Sequence, residues 1–123
     1  MRLTATQLVH LLLENDTIAC DLDGTLAKTT PEPFDKNKIG EPIPAMVRKI
    51  RAWLAADKKV VIFTARAAEK SNVPPIKKWL KKHGLPDLEI TNEKTPEMTL
   101  FVDDRARAVT RNKGTYSHTH HQH

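Results

Sequence analysis

The sequence predicts an α/β fold in which helices cover both faces of a parallel sheet, giving three layers around one core. Short apolar runs alternate along the chain with segments of helical periodicity, which is typical of βαβ units with right-handed crossovers. Polar residues follow three of these runs, and parallel strands bring such ends to one edge of the sheet, where open α/β sheets bind ligands. These polar residues are Asp21, Asp23, Thr64, Asp103 and Asp104.

Three helices are predicted, over residues 5–14, 44–57 and 73–83. The first begins at Thr4 in a Thr-x-x-Gln capping box. Pro44 suits the first turn of the second helix, whose apolar residues recur at helical spacing. Ser71 or Asn72 caps the third helix, and Gly84 follows its end.

Strands are predicted over residues 17–22, 60–63, 88–91 and 99–102, and the last of these is expected to be buried. Residues 27–44 hold four prolines without an apolar period, which predicts a loop or a short hairpin flap. Beyond Arg105 a short helix is expected. The domain then spans residues 1–113, and residues 114–123 form a polar, His-rich tail that we expect to be disordered.

Length and composition exclude several classes of protein. The 123 residues suffice for one domain, and the apolar runs are far shorter than the roughly 18 residues of a membrane helix. Cys20 is the only cysteine, which excludes internal disulfides and cysteine-cluster metal sites and favours a cytoplasmic location. The net charge of +5 comes mostly from residues 105–123, so it is weak evidence for a polyanionic partner.

The acidic pairs carry the chemistry. Asp21 and Asp23 stand two residues apart at a strand end, and carboxylates this close favour a hard divalent cation. On its own this pattern also fits a strand followed by an Asp-Gly turn. The second pair at Asp103, the hydroxyl of Thr64 and the cation of Lys94 complete the parts that phosphoryl transfer requires.

The sequence resembles the haloacid dehalogenase (HAD) superfamily of aspartate-dependent phosphohydrolases over residues 17 to about 108. The matching segments, in the family's order, are residues 18–25, residues 60–64, Lys94 and residues 100–104. Residues 64–66, 79–80 and 102–106 are in addition similar to small uncapped members related to the phosphatase domain of polynucleotide kinase. The resemblance implies a Rossmann-like fold and an Mg²⁺-dependent phosphatase.

The resemblance implies roles for individual residues. Asp21 would attack phosphorus to form an aspartyl-phosphate, and Asp23 would protonate the leaving oxygen and then activate water. Lys94 would neutralise charge on the nucleophile, with Lys70 as the alternative. Mg²⁺ would be held at Asp21, the backbone carbonyl of Asp23 and Asp103, with Asp104 in or near the site. The substrate would be bound by Thr64, Ala65 and Arg66 together with Gly24 and Thr25.

No segment of this chain is long enough for the cap domain that encloses the site in many family members. An open site predicts a phosphorylated substrate that is extended, such as a nucleotide or a nucleic-acid end, or a lid supplied by a second copy in a homo-oligomer. Arg66 is treated as an exposed loop residue, equally compatible with phosphate contact and with no role. Two further hypotheses are a non-catalytic phosphate-binding or nucleic-acid-binding module and a phospho-acceptor receiver domain, although a receiver expects its acceptor aspartate on a middle strand.

Overall fold

The structure, a computed structural model, describes residues 4–5 and 16–117. The predicted helix over residues 5–14 lies outside the described residues apart from Ala5, and so does the tail from residue 118 onward. No helix in the described part of the chain combines the length and the apolar character that crossing a membrane requires.

Four parallel strands form the sheet, in the order β3-β2-β1-β4. They are β1 (Thr17–Cys20), β2 (Lys59–Phe63), β3 (Glu89–Thr91) and β4 (Met98–Val102). Cys20 lies opposite Ile62 on one side and Val102 on the other, so three strands end at nearly the same level. The α/β prediction with a parallel sheet is confirmed.

Two helices link the first three strands: α1 (Pro44–Ala55) and α2 (Val73–Lys82). Pro44 occupies the first turn of α1 as predicted, and Gly84 follows the end of α2. Asn72 stands at the predicted cap position of α2, but its side chain makes no capping hydrogen bond and donates instead to the carbonyl of Arg66. Two short 3₁₀ turns, Ala65–Ala68 and Lys70–Asn72, connect β2 to α2.

Both described helices pack on one face of the sheet. Strand residues alternate between faces, and Ile18, Cys20, Val60 and Ile62 form one core cluster with the apolar faces of α1 and α2. The helical members of that cluster are Ile50, Ile76, Trp79 and Leu80. The opposite face carries a smaller cluster of Ala19, Val61 and Met98, with Phe63 beside it. The second helical layer that the three-layer prediction expects over that face is not among the described residues.

The prediction that β4 is buried is wrong for most of its length. Met98 is buried, but Leu100 and Phe101 are 46% and 40% exposed. The reason is the order of the strands, which places β4 at an edge with β1 as its one partner. Its apolar residues therefore have neighbours on one side of the strand only.

The helix expected beyond Arg105 is not present in the described structure. The chain turns after β4 and forms a hairpin in which Val109 pairs with Tyr116. The amide of Thr110 donates to the carbonyl of Thr115 at 2.7 Å, so these backbone groups are not available for a helix. Residues up to 117 thus belong to a paired hairpin, although we expected the tail from residue 114.

Residues 27–43 form a flap that is closed at its neck. Ala27 pairs with Pro42, and the amide of Lys28 donates to the carbonyl of Glu41 at 2.9 Å. The indole of Trp79 on α2 donates to the carbonyl of Gly40 at 3.0 Å, which holds the flap against that helix. This agrees with the predicted loop or short hairpin flap.

The position of β2 inside the sheet predicts a large effect of truncating one of its buried residues. Ile62 is fully buried, so Ile62→Ala should lower the free energy of unfolding by about 2–5 kcal/mol in urea titrations. Leu100→Ala, on the exposed edge strand, is the control and should cost about 0.5 kcal/mol. Equal losses in the two variants would contradict this description of the core.

Candidate active site

The predicted polar residues do meet at one edge of the sheet. Asp21 follows β1, and its amide donates to the carbonyl of Val102 at 2.9 Å. Thr64 follows β2, and its amide donates to the carbonyl of Thr91 at 2.9 Å. Asp103 directly follows β4. The parallel register therefore brings the ends of three strands together, as the sequence predicts.

Three carboxylates form an acidic cluster at this edge, made of Asp21, Asp103 and Asp104. One oxygen from each lies within 4.8 Å of the others. Asp21 is partly buried, whereas Asp103 and Asp104 are exposed. Three hard oxygen donors at this spacing suit a divalent cation of the Mg²⁺ or Ca²⁺ type. The carboxylate of Asp23 does not belong to the cluster; the ligand implied at Asp23 is its backbone carbonyl.

Thr25 connects two members of the acidic cluster. Its hydroxyl lies 3.4 Å from Asp21 Oδ2 and 3.3 Å from Asp104 Oδ1, and it accepts a hydrogen bond from the Asp104 amide at 3.1 Å. A hydroxyl has one proton, so it donates to one of the two carboxylates at a time. Thr25 was predicted to bind substrate, and the described contacts assign it to holding the acids in place.

Gly24 lets Asp104 approach the main chain. Its φ of +85° lies in the left-handed region, and a Cβ at this position would stand 2.6 Å from Asp104 Oδ2. Both the backbone conformation and the close contact disfavour a side chain, which would displace the Asp104 carboxylate. Gly24 therefore shapes the acidic cluster, and its predicted contact with substrate stays a prediction.

Burial and neighbouring charges make Asp21 a weaker acid. Burial has the largest effect, followed by the charge of Asp103 and more weakly that of Asp104, and together they raise the pKa of Asp21 from 3.8 to about 7. A hydrogen bond from the Leu22 backbone acts in the opposite direction and lowers this pKa. Burial likewise raises the pKa of the Cys20 thiol to about 12. Cys20 is therefore a protonated core residue and a poor nucleophile.

Arg66 and Asp23 form a bidentate ion pair beside the acidic cluster. Arg66 Nε donates to Asp23 Oδ2 and Nη2 donates to Asp23 Oδ1, both at 2.8 Å. Arg66 Nη2 also donates to the carbonyl of Lys38 in the flap at 3.2 Å. The interpretation of Arg66 as an exposed loop residue is wrong, because the residue is 7% exposed. The tight 3₁₀ turn after β2 directs its side chain inward, and Asp23 compensates the buried charge.

The surroundings of Arg66 include residues that the sequence analysis missed. The ring of Phe34 in the flap lies over the guanidinium, with 4.8 Å between its centroid and Arg66 Cζ. Arg66 Nη1 is buried without a hydrogen-bond partner in the described chain. Asn72 Nδ2 donates to the Arg66 carbonyl at 2.9 Å. No local pattern marks Phe34 or Asn72, since both meet Arg66 through the tertiary fold.

Two clefts share Asp21, Phe63 and Asp103 among their lining residues. The first has a volume of about 540 Å³, and its other lining residues include Asp23, Phe34, Thr64, Ala65, Arg66 and Arg105. The second has a volume of about 620 Å³ and runs along β4. We refer to them as the first and second clefts.

The structure separates the two lysines proposed for catalysis. Lys94 lines the second cleft together with Asp21, and its Nζ lies 5.2 Å from the centroid of the Phe101 ring. Lys70 lies in the 3₁₀ turn before α2 and lines neither cleft. Lys94 therefore shares a cleft with Asp21 and Lys70 does not, and the catalytic role of Lys94 stays a prediction.

The raised pKa of Asp21 predicts a pH dependence of stability. Between about pH 4 and pH 7 the folded chain holds a proton on Asp21 that the unfolded chain has released, so the free energy of unfolding should fall as the pH rises through this range. Urea titrations in a chelator should show this slope in the wild type, and Asp21→Asn should reduce it. The exposed acid Asp87 provides the control, because Asp87→Asn should keep the slope. A slope that survives in Asp21→Asn would refute the assignment.

Substitution of Gly24 tests the close contact with Asp104. Gly24→Ala should lower the free energy of unfolding by about 1–3 kcal/mol and weaken Mg²⁺ binding in calorimetry, because strain and contact act together. Gly114→Ala is the matched control: Gly114 has a φ of +72° but open space around its Cβ position. It should show the backbone strain alone, without any loss of Mg²⁺ affinity. Equal Mg²⁺ affinity in Gly24→Ala and the wild type would contradict the contact.

Comparison with known proteins supports the fold. The chain is similar to the solved structure of a conserved protein from Bacteroides thetaiotaomicron, with 26% identity and a TM-score of 0.56. The similarity covers 73% of this chain and 76% of that chain. No family model and no curated protein matches the sequence. The parallel sheet with its helices and this structural similarity together identify a small α/β fold of the Rossmann-like type.

Proposed function

We propose that the protein is a metal-dependent phosphohydrolase that acts on phosphomonoesters through Asp21. The observation that carries the proposal is the position of Asp21, which belongs to the acidic cluster, shares the first cleft with the Arg66–Asp23 ion pair and also lines the second cleft. A phosphoryl group needs a nucleophile, charge neutralisation and hydrogen-bond donors around it, and all three are available here.

The acidic cluster fits Mg²⁺. Asp21, Asp103 and Asp104 supply carboxylate oxygens within 4.8 Å of one another, and the Asp23 backbone carbonyl is a further ligand implied by the family resemblance. When bound, Mg²⁺ would offset the repulsion between these acids and the negative charge of the substrate's phosphoryl oxygens. The charge of Asp103, which raises the pKa of Asp21, is the repulsion that a cation would relieve.

Asp21 is the proposed nucleophile because it is the partly buried member of the cluster and borders both clefts. Its carboxylate oxygen would form a bond to phosphorus while the bond from phosphorus to the leaving oxygen breaks. Water would then attack the phosphorus of the aspartyl-phosphate, releasing inorganic phosphate and restoring the carboxylate. The first step requires ionised Asp21, and a cation bound at the acidic cluster would favour that ionised form against the raised pKa.

Asp23 is the proposed acid and base. Each of its oxygens accepts one hydrogen bond from Arg66, and each keeps a lone pair that can carry a proton. Asp23 would donate that proton to the leaving oxygen and later take one from the attacking water. Arg66 positions Asp23 at the first cleft for both transfers, since two parallel hydrogen bonds fix the plane of the carboxylate.

Thr64, Ala65 and Lys94 are the proposed phosphate contacts. The Thr64 hydroxyl oxygen accepts a hydrogen bond from the Arg66 amide at 3.2 Å. The hydroxyl proton of Thr64 can therefore be donated to a phosphoryl oxygen. Ala65 lines the first cleft, and Lys94 lines the second cleft together with Asp21. No second domain covers either cleft in the described part of the chain, which favours an extended substrate such as a nucleotide or nucleic-acid end, or a lid from a second copy.

Loss of the nucleophile tests the proposal. Asp21→Asn should reduce the Mg²⁺-dependent hydrolysis of an aryl phosphate by at least about a thousandfold, because the side-chain amide cannot attack phosphorus. Circular dichroism should show an unchanged fold. Asp87→Asn, which removes an exposed acid outside both clefts, is the control and should keep full activity. Turnover by Asp21→Asn at the wild-type rate would refute the proposal.

The same assay separates the enzyme from a non-catalytic phosphate-binding module. An enzyme of this type should hydrolyse the aryl phosphate with Mg²⁺, lose activity in a chelator and bind a beryllium fluoride mimic of the aspartyl-phosphate. A wild-type protein that binds inorganic phosphate with Mg²⁺ but shows neither turnover nor binding of the mimic would instead favour the binding module.

A further inference from the structure

Phe34 is an exposed aromatic residue in the cleft that holds the candidate catalytic groups. The ring is 55% exposed. Five large hydrophobic residues are exposed in the described part of the chain, and Phe34 is the one among them that lines the first cleft. The others are Leu100, Phe101, Val109 and Tyr116. A single exposed hydrophobic residue is ordinary on a protein surface. Its place beside Asp21, Asp23 and Thr64 is what calls for an explanation.

The ring of Phe34 is held at one face. Arg66 Cζ lies 4.8 Å from the ring centroid, and the guanidinium is itself fixed by two hydrogen bonds to Asp23 and one to the Lys38 carbonyl. An aromatic ring offers two faces for stacking, and Arg66 occupies one of them. The exposed part of the Phe34 ring is therefore the side turned away from the guanidinium.

We infer that Phe34 is a stacking platform for the leaving group of the substrate, and that this leaving group carries a planar aromatic system, as in a nucleotide. This inference rests on the proposed function and adds a specificity-determining residue to it. The first cleft places the ring beside the proposed nucleophile and acid, so a base on Phe34 and a phosphoryl group at Asp21 would occupy one cleft. Its volume of about 540 Å³ is in the range of small-molecule sites.

Stacking selects for planarity and not for a particular base. Every nucleobase has a π face, so a single aromatic platform accepts all of them. Sugar phosphates and glycerol phosphates lack such a face and would gain nothing from Phe34. The platform therefore predicts discrimination between phosphomonoesters by their leaving group, with the proposed phosphate contacts of Thr64, Ala65 and Lys94 common to all.

Binding of the product nucleoside tests the platform without turnover. The variant is Phe34→Leu, which keeps an apolar side chain over Arg66 but has no π face. With inorganic phosphate and Mg²⁺ present, calorimetry should show adenosine binding about tenfold more weakly to Phe34→Leu than to the wild type. The affinity for inorganic phosphate should not change, and Phe34→Trp should bind adenosine at least as tightly as the wild type.

Tyr116→Leu is the matched control. Tyr116 is 61% exposed and stacks on Arg107 at 4.3 Å, but it lines neither cleft, so this variant should bind adenosine like the wild type. Melting temperatures of all variants should show whether the fold is retained. Equal adenosine affinity in Phe34→Leu and the wild type, or an equal loss of affinity for adenosine and phosphate, would overturn the inference.

Kinetics separate a failure of the platform from a failure of the proposed function. With adenosine 5′- and 3′-monophosphates and a phosphorylated oligonucleotide as substrates, Phe34→Leu should lower kcat/KM about tenfold for those that the wild type hydrolyses. For glycerol phosphate the change should be less than about twofold. Loss of adenosine binding without any wild-type hydrolysis would refute the phosphatase and retain the platform. Hydrolysis with equal effects on nucleotide and glycerol phosphate would refute the platform alone.

Discussion

The register of β1 determines where the chemical groups of this protein stand. Cys20 pairs with Val102 on one side and with Ile62 on the other, so the residues that follow these three positions emerge at one level of the sheet. The amide of Asp21 continues this pairing by donating to the Val102 carbonyl. A shift of one residue between β1 and β4 would turn each side chain to the opposite face and separate the carboxylates. The acidic cluster is thus a consequence of strand pairing.

Bringing these acids together is unfavourable unless something compensates them. The raised pKa of Asp21 reflects its burial and then the repulsion from Asp103. Gly24 and Thr25 supply the space and the hydrogen bonds that keep Asp104 near. The charge of Asp23, in contrast, is compensated within the protein by its ion pair with Arg66. Of the four carboxylates at this edge of the sheet, Asp23 is paired with Arg66, and the three of the acidic cluster have no ion-pair partner among the described residues. This arrangement suits a bound cation at the three.

The sequence predicts what depends on local pattern and misses what depends on distant partners. Parallel strands and helices follow from apolar periodicity, and the meeting of the acids follows from their positions after strands. The burial of Arg66 depends on Asp23, which lies 43 residues earlier, and no local feature reveals it. The exposure of Phe101 depends on strand order, which periodicity does not encode. The role of Lys94 depends on loop geometry and stays a prediction.

The neck of the flap has a consequence for how this chain can vary. Gly40 lies so close to the Lys28 carbonyl that a Cβ would collide with it, and the Lys28–Glu41 hydrogen bond closes the neck. The tip between these points is mostly exposed and is attached through the carbonyls of Lys38 and Gly40. Residues inserted near its start would add mainly loop-closure entropy, about 0.6 kcal/mol for each doubling of length. The flap is thus the segment in which a descendant of this sequence could gain a larger cover over the site with little loss in the free energy of unfolding.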